Sequence, residues 1–315
     1  MKTLLTQDPE KAAAFIRGGG VVAFPTETVF GLGANVFDPD AVAKIFQAKR
    51  RPADNPLIAH IAKVGQIAEL TAGMSESGAR FIEHFFPGPL TLVLARSTRV
   101  PDVATAGLDT IGVRMPKFDL ARRFIEACGV PVVAPSANLS GRPSPTTWQA
   151  VLEDLDGRID CILQGDPTEI GLESTVVDCT DDVPVLLRQG AVSLAELRAI
   201  IPETRESEPN DAEMVRSPGL RHKHYSPKAD VIIVGSGYAV DRRAASAYIG
   251  LDGKIEVEHF SHVKVCRSVE EYARSLFEFF RECDRRDIHT IYCEDVEPDG
   301  IGAALMDRLR RAAEE

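Results

Sequence analysis

Short apolar runs alternate with segments of helical periodicity along the first two-thirds of the chain, and this alternation favours an α/β fold. A strand is predicted at 21–24, directly after three glycines. Asp38 and Pro39 then supply an N-cap and a first-turn proline for a helix that ends near Lys49. The same reasoning predicts strands at 57–61, 90–95, 111–114, 131–134, 161–163, 175–178 and 185–187, and helices at 75–86, 119–127, 146–155 and 193–201.

A second unit follows a break in this pattern. Residues 202–228 are rich in proline and charge and poor in apolar side chains, which is typical of an extended linker. Beyond them we predict strands at 231–234 and 290–293, with helices at 240–249, from Ser268 onward, and at 300–313. The expected organisation is a main domain at 1–201, a linker at 202–228 and a small α/β domain at 229–315.

Composition excludes some classes of protein. The chain has 315 residues, 44% of them hydrophobic, and a net charge of -11. Because phosphate contacts by cations supply most nucleic-acid affinity, so acidic a chain is a poor candidate for stable RNA binding. The six cysteines form no C-x-x-C pair, which disfavours a zinc site. The first residues lack a signal-peptide pattern and no apolar run is long enough for a membrane span, so we expect a cytoplasmic protein.

Three consecutive cations, Lys49, Arg50 and Arg51, leave the end of the predicted helix and enter a loop restrained by Pro52 and Pro56. The helix dipole favours cations at this end and explains one or two of them. It does not explain the two prolines. A fixed cationic loop suits phosphate, to which arginine offers a planar fork and lysine a point charge.

Two further polar segments follow predicted buried strands, where ligands of α/β sheets gather. Thr26, Glu27 and Thr28 come after the first strand, and Ser136 and Asn138 come after the strand at 131–134. Residues two apart in an extended segment point the same way, so Ser136 and Asn138 are predicted to act together. The alternative interpretation of each segment is an ordinary polar turn.

Single residues have competing interpretations as well. Arg114 ends a predicted strand and either extends to solvent or clamps a carboxylate. His60 lies in an apolar strand, where a buried core histidine is the commoner outcome. Residues 171–175 form another polar loop before a strand. A Walker A sequence is absent, and the two glycines at 235 and 237 are weak evidence for a nucleotide site.

Together these segments resemble the threonylcarbamoyl-adenylate synthase family, in its long form with a YrdC-like domain. The resemblance rests on residues 25–33, on Lys49 and Arg51, on residues 55–60, on Ser136 and Asn138, and on residues 217–227. It implies a YrdC-like twisted open mixed sheet with helices, followed by a small Rossmann-like α/β domain. Phe30 stands where the family often has tyrosine, and Leu220, His222 and Ser226 replace methionine, tyrosine and alanine.

The resemblance implies a transferase of the nucleotidyltransferase class. Threonine and bicarbonate would give N-carboxythreonine, which attacks the α-phosphate of ATP to form threonylcarbamoyl-AMP and release pyrophosphate. Mg²⁺ would accompany ATP, with no metal site on the protein. The product would pass to a tRNA threonylcarbamoyl transferase, in the modification of tRNA to threonylcarbamoyladenosine, without stable tRNA binding by this chain.

Site residues also follow from the resemblance. Lys49, Arg51, Ser136 and Asn138 are expected to carry the catalysis, while Arg50 has no assigned role. The remaining assignments place threonine near Thr28, His60, Arg114 and Ser174, and ATP near Lys49, Arg51, Asn55, Thr110, Ser136, Asn138, Ser144, Arg188 and Tyr225.

Two other functions stay open at the level of sequence. One is a carbamoyl-adenylate former of the hydrogenase-maturation type, which the missing C-x-x-C pairs disfavour. The other is an RNA-binding or ribosome-maturation module. Lys223, His224 and Tyr225 are hypothesised to fold back as a lid over the site. The role of the C-terminal domain and the oligomeric state do not follow from the sequence.

Overall fold

The computed structural model describes residues 2–208, 226–235, 245–251 and 259–313. In these ranges the chain forms a mixed α/β structure with two sheets. The strands are β1 (Leu4–Thr6), β2 (Val22–Phe24), β3 (Gly31–Asn35), β4 (Ile58–His60), β5 (Leu90–Ala95), β6 (Thr110–Arg114), β7 (Val132–Ala134), β8 (Cys161–Leu163), β9 (Thr175–Asp178), β10 (Val185–Arg188), β11 (Arg205–Glu206), β12 (Asp230–Val234), β13 (Ser246–Leu251), β14 (His262–Cys266) and β15 (Thr290–Glu294).

Helices cover both sheets. They are α1 (Pro9–Arg17), α2 (Pro39–Lys49), α3 (Ile67–Leu70), α4 (Glu76–Phe85), α5 (Asp102–Thr105), α6 (Asp119–Cys128), α7 (Trp148–Leu155), α8 (Leu194–Ile200), α9 (Val269–Arg285) and α10 (Ile301–Ala313). The local signals act as expected in α2, where the Asp38 side chain accepts the N–H groups of Asp40 and Ala41. The helix ends at Arg50, which takes the left-handed conformation with φ 53°.

The larger sheet has 11 strands in the order β1-β8-β2-β3-β7-β4-β6-β5-β9-β10-β11. Its pairings are mixed: β4 and β6 run parallel, whereas β2–β3, β4–β7 and β5–β6 are antiparallel. Since β4 and β6 are parallel and in register, His60 and Arg114 end these two neighbouring strands side by side. The fold class expected from the sequence is thereby confirmed for this part of the chain.

The smaller sheet has the order β12-β15-β13-β14, and all three of its pairings are parallel. It agrees with the expected Rossmann-like domain. The predicted helix at 240–249 is wrong over residues 246–249, because residues 246–251 form β13, between β15 and β14, whereas residues 240–244 lie outside the described residues. Five of the six residues of β13 are buried. The segment is apolar because it is a central strand, which is covered on both faces.

The sequence also missed several elements. β1, α1, β3 and β14 were not predicted. Gly31 and Gly33 belong to β3, where a Cβ at Gly33 would come within 2.6 Å of Val132 Cγ1. Glycine is needed there because a neighbouring strand approaches closely. The expected linker contains a short strand, β11, which pairs with β10.

All six cysteines are buried and none forms a disulfide. Burial raises the pKa of all six thiols above the ordinary value, since it disfavours the charged thiolate. These side chains therefore act as small apolar groups.

Candidate active site

A cavity opens where several strands of the larger sheet end. Polar, charged and apolar side chains all line it. Its lining consists of Thr26, Thr28, Val29, Gly31, Arg51, Pro56, Leu57, Ile58, His60, Arg114, Ala134, Pro135, Ser136, Glu173, Ser174 and Arg188. The sequence predicted seven of these as site residues, namely Thr28, Arg51, His60, Arg114, Ser136, Ser174 and Arg188.

Arg114 is buried and already holds a partner. Its Nη2 lies 2.7 Å from Oε1 of Glu27, and both side chains are nearly inaccessible to solvent. The Arg114 guanidinium holds the pKa of the Glu27 carboxyl below its usual value, although burial alone would raise it. Arg114 does not extend to solvent, and its counter-charge is a residue that the sequence prediction left without a role.

Thr28 fixes the other side of the same guanidinium. Arg114 Nη1 donates to the Thr28 hydroxyl at 2.7 Å, and the Thr26 and Thr28 hydroxyl oxygens lie 2.9 Å apart. Thr26 in turn donates to the carbonyl of Val29 at 2.7 Å. The hydroxyls of this segment therefore form one chain that orients Arg114. That chain, rather than a turn, explains the two threonines beside Glu27.

His60 is buried beside Arg114. Its Nδ1 lies 3.1 Å from the carbonyl oxygen of Ile58, and its ring packs edge-on against Phe24 at 5.7 Å. Burial, helped by the nearby Arg114 charge, lowers the pKa of His60 from 6.5 to about 3. His60 is therefore a neutral wall residue that presents no cation at neutral pH.

This shift predicts a pH dependence of stability. Between pH 6.5 and about 3, His60 is protonated in the unfolded chain but not in the folded chain. The free energy of unfolding therefore falls by about 1.4 kcal/mol per pH unit as the pH drops through this window. Between pH 7 and pH 5, the free energy of unfolding should therefore fall by about 2 kcal/mol less in His60→Gln than in the parent chain. Urea titrations at the two pH values measure this.

A matched control is His84→Gln, since His84 is exposed on α4 and outside the cavity. It should retain the pH dependence of the parent chain. Equal slopes for the parent chain and His60→Gln would contradict the assignment of a buried neutral histidine.

Lys49 is not part of the cavity wall. It is 1% exposed, and its ammonium donates to the carbonyl oxygens of Ser136 at 2.7 Å and Asn138 at 2.5 Å. Burial is the main reason why the pKa of Lys49 lies well below its ordinary value, and the charge of Arg51 adds to it. In this structure Lys49 ties the end of α2 to the segment after β7, instead of facing a phosphate.

Ser136 and Asn138, which were predicted to act together, contact each other. The Ser136 hydroxyl donates to Asn138 Oδ1 at 2.6 Å. Asn138 Nδ2 donates to the carbonyls of Leu139 and Arg142. Ser136 lines the cavity, but Asn138 is 3% exposed and shapes the loop behind it. The expected pair of phosphate donors is thus one cavity residue and one loop-forming residue.

Arg51 is the member of the basic loop that reaches the cavity. Its Nη2 lies within hydrogen-bond distance of the carbonyls of Asn55 and Pro56, at 3.4 and 3.3 Å. Asn55 is buried and does not line the cavity. Arg50 is exposed. The basic loop therefore presents one guanidinium to the site, and backbone carbonyls of the same loop hold this guanidinium in place.

A second group of partners surrounds Ser174. Its hydroxyl lies 2.8 Å from that of Thr91, and Arg188 donates to the Ser174 carbonyl through both Nε and Nη2. Beside it, Glu173 lines the cavity and accepts a hydrogen bond from the Ser144 hydroxyl at 2.5 Å. Ser144 itself is buried behind the wall. It reaches the cavity only through Glu173.

Two more of the predicted ATP residues are Thr110 and Tyr225. Thr110 begins β6, four residues before Arg114 and so about 13 Å from it along the strand, and it is not a lining residue. Tyr225 lies outside the described residues, as do Lys223 and His224 of the hypothesised lid. The next residue, Ser226, is described, and its N–H donates to the Gly141 carbonyl at 3.1 Å.

Charge is concentrated in this cavity. Arg51, Arg114 and Arg188 line it, whereas Glu173 is its one lining carboxylate among the residues that the structure describes. A local excess of guanidinium groups in a chain of net charge -11 favours an anionic ligand. The sequence overlooked Glu27 and Glu173. The signal was available, because a buried arginine needs a counter-charge and each of these glutamates stands next to a predicted site residue.

Comparison with known proteins identifies the family of the chain. Residues 14–190 match the Sua5, YciO and YrdC family model described as telomere recombination. Residues 192–314 match the C-terminal domain of threonylcarbamoyl-AMP synthase. The threonylcarbamoyl-AMP synthase of Pyrococcus abyssi (strain GE5 / Orsay) is 45% identical over 315 residues, which cover 96% of this chain and 93% of the relative. The chain belongs to the threonylcarbamoyl-AMP synthase family.

Other members of the threonylcarbamoyl-AMP synthase family extend the comparison. The Bacillus subtilis (strain 168) protein is 42% identical over 331 residues, covering 98% of this chain and 94% of the relative. The crystal structure of P. abyssi Sua5 complexed with L-threonine has a TM-score of 0.89 and 42% identity, covering 99% of this chain and 97% of that one. The resemblance predicted from motifs is thereby confirmed over nearly the whole chain.

Among the described residues, no group of three or more His, Cys, Asp or Glu side chains is arranged to hold a metal ion. Within those ranges, too, every helix is too short or too polar to cross a membrane.

Proposed function

We infer that this chain is an L-threonylcarbamoyladenylate synthase. It would convert L-threonine, bicarbonate and ATP to threonylcarbamoyl-AMP, pyrophosphate and water. The observation that carries this proposal is the cavity lined by three arginines in an acidic chain of this family. ATP and the carboxylate of threonine are both anions, and guanidinium groups bind both well.

The chemistry needs no protein nucleophile. The threonine amine attacks bicarbonate, water leaves, and the resulting N-carboxylate attacks the α-phosphorus of ATP. The bond from that phosphorus to the bridging oxygen breaks, and pyrophosphate leaves with the electron pair. Fixed cations and hydrogen-bond donors stabilise the charge that develops on the phosphate oxygens. This places the reaction in the nucleotidyltransferase class.

We assign separate cavity residues to the two substrates. Arg51 and Ser136 are assigned to the phosphates, since they come from the basic loop and the segment after β7. Arg114, His60 and Ser174 are assigned to threonine. The L-threonine complex of the P. abyssi relative supports an amino-acid site in this fold. Neutral His60 adds no charge, so the threonine carboxylate would depend on Arg114.

The proposed reaction also involves Mg²⁺ and a second enzyme that uses the product. Mg²⁺ would enter bound to ATP and neutralise phosphate charge, without a dedicated protein site. The product would be consumed by a transferase that attaches the threonylcarbamoyl group to tRNA. Net charge -11 is consistent with a chain that hands over a small molecule and does not itself hold tRNA.

A direct test is pyrophosphate release from ATP. We expect release only when both threonine and bicarbonate are present, because the nucleophile must form from the two together. The measurement is a coupled pyrophosphate assay with each substrate omitted in turn, in bicarbonate-depleted buffer. Release that does not depend on threonine would overturn the proposal.

The RNA-binding alternative has a different signature. A salt titration of RNA binding would show a steep loss of affinity if several phosphates were neutralised by this chain. We expect weak binding at physiological salt, because the cationic groups lie in a cavity and the overall charge is negative.

A further inference from the structure

A buried arginine of the smaller unit, which contains β12–β15, α9 and α10, contacts the larger unit, which contains β1–β11 and α1–α8. Arg281, on α9, is 0% exposed and grips Asp154 on α7 with two contacts, Nη1 to Oδ1 at 3.1 Å and Nη2 to Oδ2 at 2.9 Å. Its Nη2 also donates to the carbonyl of Pro143 at 2.6 Å. A two-pronged contact of this kind fixes direction as well as distance.

Asp154 also forms hydrogen bonds with the segment that follows Ser136. Its Oδ2 accepts the N–H of Leu139 at 3.1 Å, and its Oδ1 accepts from Arg142. We call residues 136–144 the 136–144 loop. Since Asn138 donates to the Arg142 carbonyl, the loop and Asp154 form one network with Arg281 at its base.

A second arginine of the smaller unit is linked to the last residue of this loop. Arg308, on α10, is 0% exposed and donates from Nε to Glu173 Oε2 at 2.9 Å and from Nη2 to the carbonyl of Gln189 at 3.1 Å. Glu173 lines the cavity and accepts from Ser144, the last residue of the 136–144 loop. The middle of the loop and its last residue are therefore each held through a carboxylate that pairs with an arginine of the smaller unit.

The apolar contacts follow the same boundary. Val29 and Leu172, which flank the cavity, pack in the hydrophobic core of the smaller unit together with residues of α9 and α10. Val29 lines the cavity, so the two units meet directly behind the site.

We propose that Arg281 and Arg308 are positioning residues that hold the 136–144 loop in the shape that binds the phosphates of ATP. The smaller unit would then be part of the nucleotide side of the site and not an independent module. This inference rests on the proposed function, because it takes Ser136 as a nucleotide contact.

The physical reason is the loss of one of the two guanidinium partners of a buried carboxylate. Removing Arg281 leaves the buried Asp154 with Arg142, a residue of the loop itself, as its remaining close cationic partner, so we expect Asp154 and the loop bound to it to rearrange. Because Leu139 and Arg142 are bonded to Asp154, such a movement displaces Ser136. The threonine side is held by a separate network, from Glu27 through Arg114 to Thr28, and should stay in place.

The experiment compares Arg281→Met with Arg285→Met in the full chain. Arg285 lies four residues later on the same helix and also forms an interdomain ion pair, with Glu153 at 3.3 Å, but its side chain is 42% exposed. Calorimetry would measure the Kd of a non-hydrolysable ATP analogue with Mg²⁺ and, separately, the Kd of L-threonine. We expect Arg281→Met to weaken the analogue about tenfold or more and Arg285→Met to change it less than about twofold.

The expected pattern is selective. Threonine affinity should change less than about twofold in Arg281→Met, because the loss is confined to the phosphate side. The double variant Arg281→Met/Asp154→Asn should recover most of the analogue affinity, since a neutral amide can still accept the Leu139 N–H. Unchanged analogue affinity in folded Arg281→Met, or equal losses for both ligands, would overturn the proposal.

Two further variants keep the test decisive. If Arg281→Met does not fold, Arg281→Lys retains the charge and loses the fork, and analogue affinity equal to that of the parent chain would again overturn the proposal. Arg308→Met should reproduce the loss of analogue affinity through Glu173 and Ser144. Direct binding separates this inference from the proposed function: absent threonine-dependent pyrophosphate release would refute the reaction, whereas the analogue Kd tests the positioning.

Discussion

Replacing Arg114 with methionine is expected to abolish threonine-dependent pyrophosphate release and to lower the free energy of unfolding by about 3–5 kcal/mol. Arg114 is the counter-charge of the buried Glu27, at 2.7 Å, and it also holds the Thr28 hydroxyl. Methionine fills similar space but leaves the Glu27 carboxylate buried and unpaired. Pyrophosphate release at saturating ATP and urea denaturation measure the two effects.

Two comparisons separate the roles of Arg114. In Arg114→Met/Glu27→Gln no buried charge is left unpaired, so most of the stability should return while activity stays absent. Arg51→Met, at the partly exposed loop position, should keep the stability of the parent chain and mainly raise the KM for ATP. If the double variant regained threonine use, the assignment of Arg114 to the threonine carboxylate would be wrong.

The second large effect is expected at Gly171. This residue has φ +81°, and a Cβ there would lie 2.5 Å from the Cα of Arg274 on α9. Its N–H donates to the carbonyl of Thr28 at 3.1 Å, so the loop cannot retreat without disturbing the site. We expect Gly171→Ala to lower the free energy of unfolding by at least about 3 kcal/mol, from backbone strain and the clash together.

Gly107→Ala is the control for Gly171→Ala. Gly107 has a similar φ, +77°, and nothing lies within 4 Å of the position of its Cβ. It should show the conformational cost alone, about 1–2 kcal/mol. Urea denaturation of the two variants side by side isolates the contribution of the contact with α9. If the free energy of unfolding fell equally in the two variants, the contact between the new Cβ at position 171 and α9 would contribute nothing to the loss.

Local signals carried much of the fold from sequence alone. Helix α2 illustrates this, since Asp38 and Pro39 set its start and Arg50 ends it as expected near Lys49. Strand β13 was mistaken for a helix because a short apolar run has no period of its own, and only its place between β15 and β14 decides the conformation. β3 was hidden because its glycines, needed for close packing against Phe24 and Val132, resemble a turn.

The site was predicted by residue type more accurately than by orientation. Arg51, Arg114 and Ser136 reach the cavity, because strand ends and loops with few conformations place them there. Lys49 and Asn138 were expected beside them but face the loop interior, where backbone carbonyls hold the ammonium. Sequence spacing does not show which of two neighbouring polar groups satisfies the backbone and which remains for a ligand.

The buried thiols have a practical consequence for measuring the chain in solution. All six cysteines are inaccessible and burial raises their pKa, so thiol-directed labels should leave the native chain unmodified. Cysteines introduced at the exposed positions Glu83 and Arg286 would then be the reactive ones. A pair of spin labels or dyes there would report the distance between the two sheets during turnover, without first building a cysteine-free background.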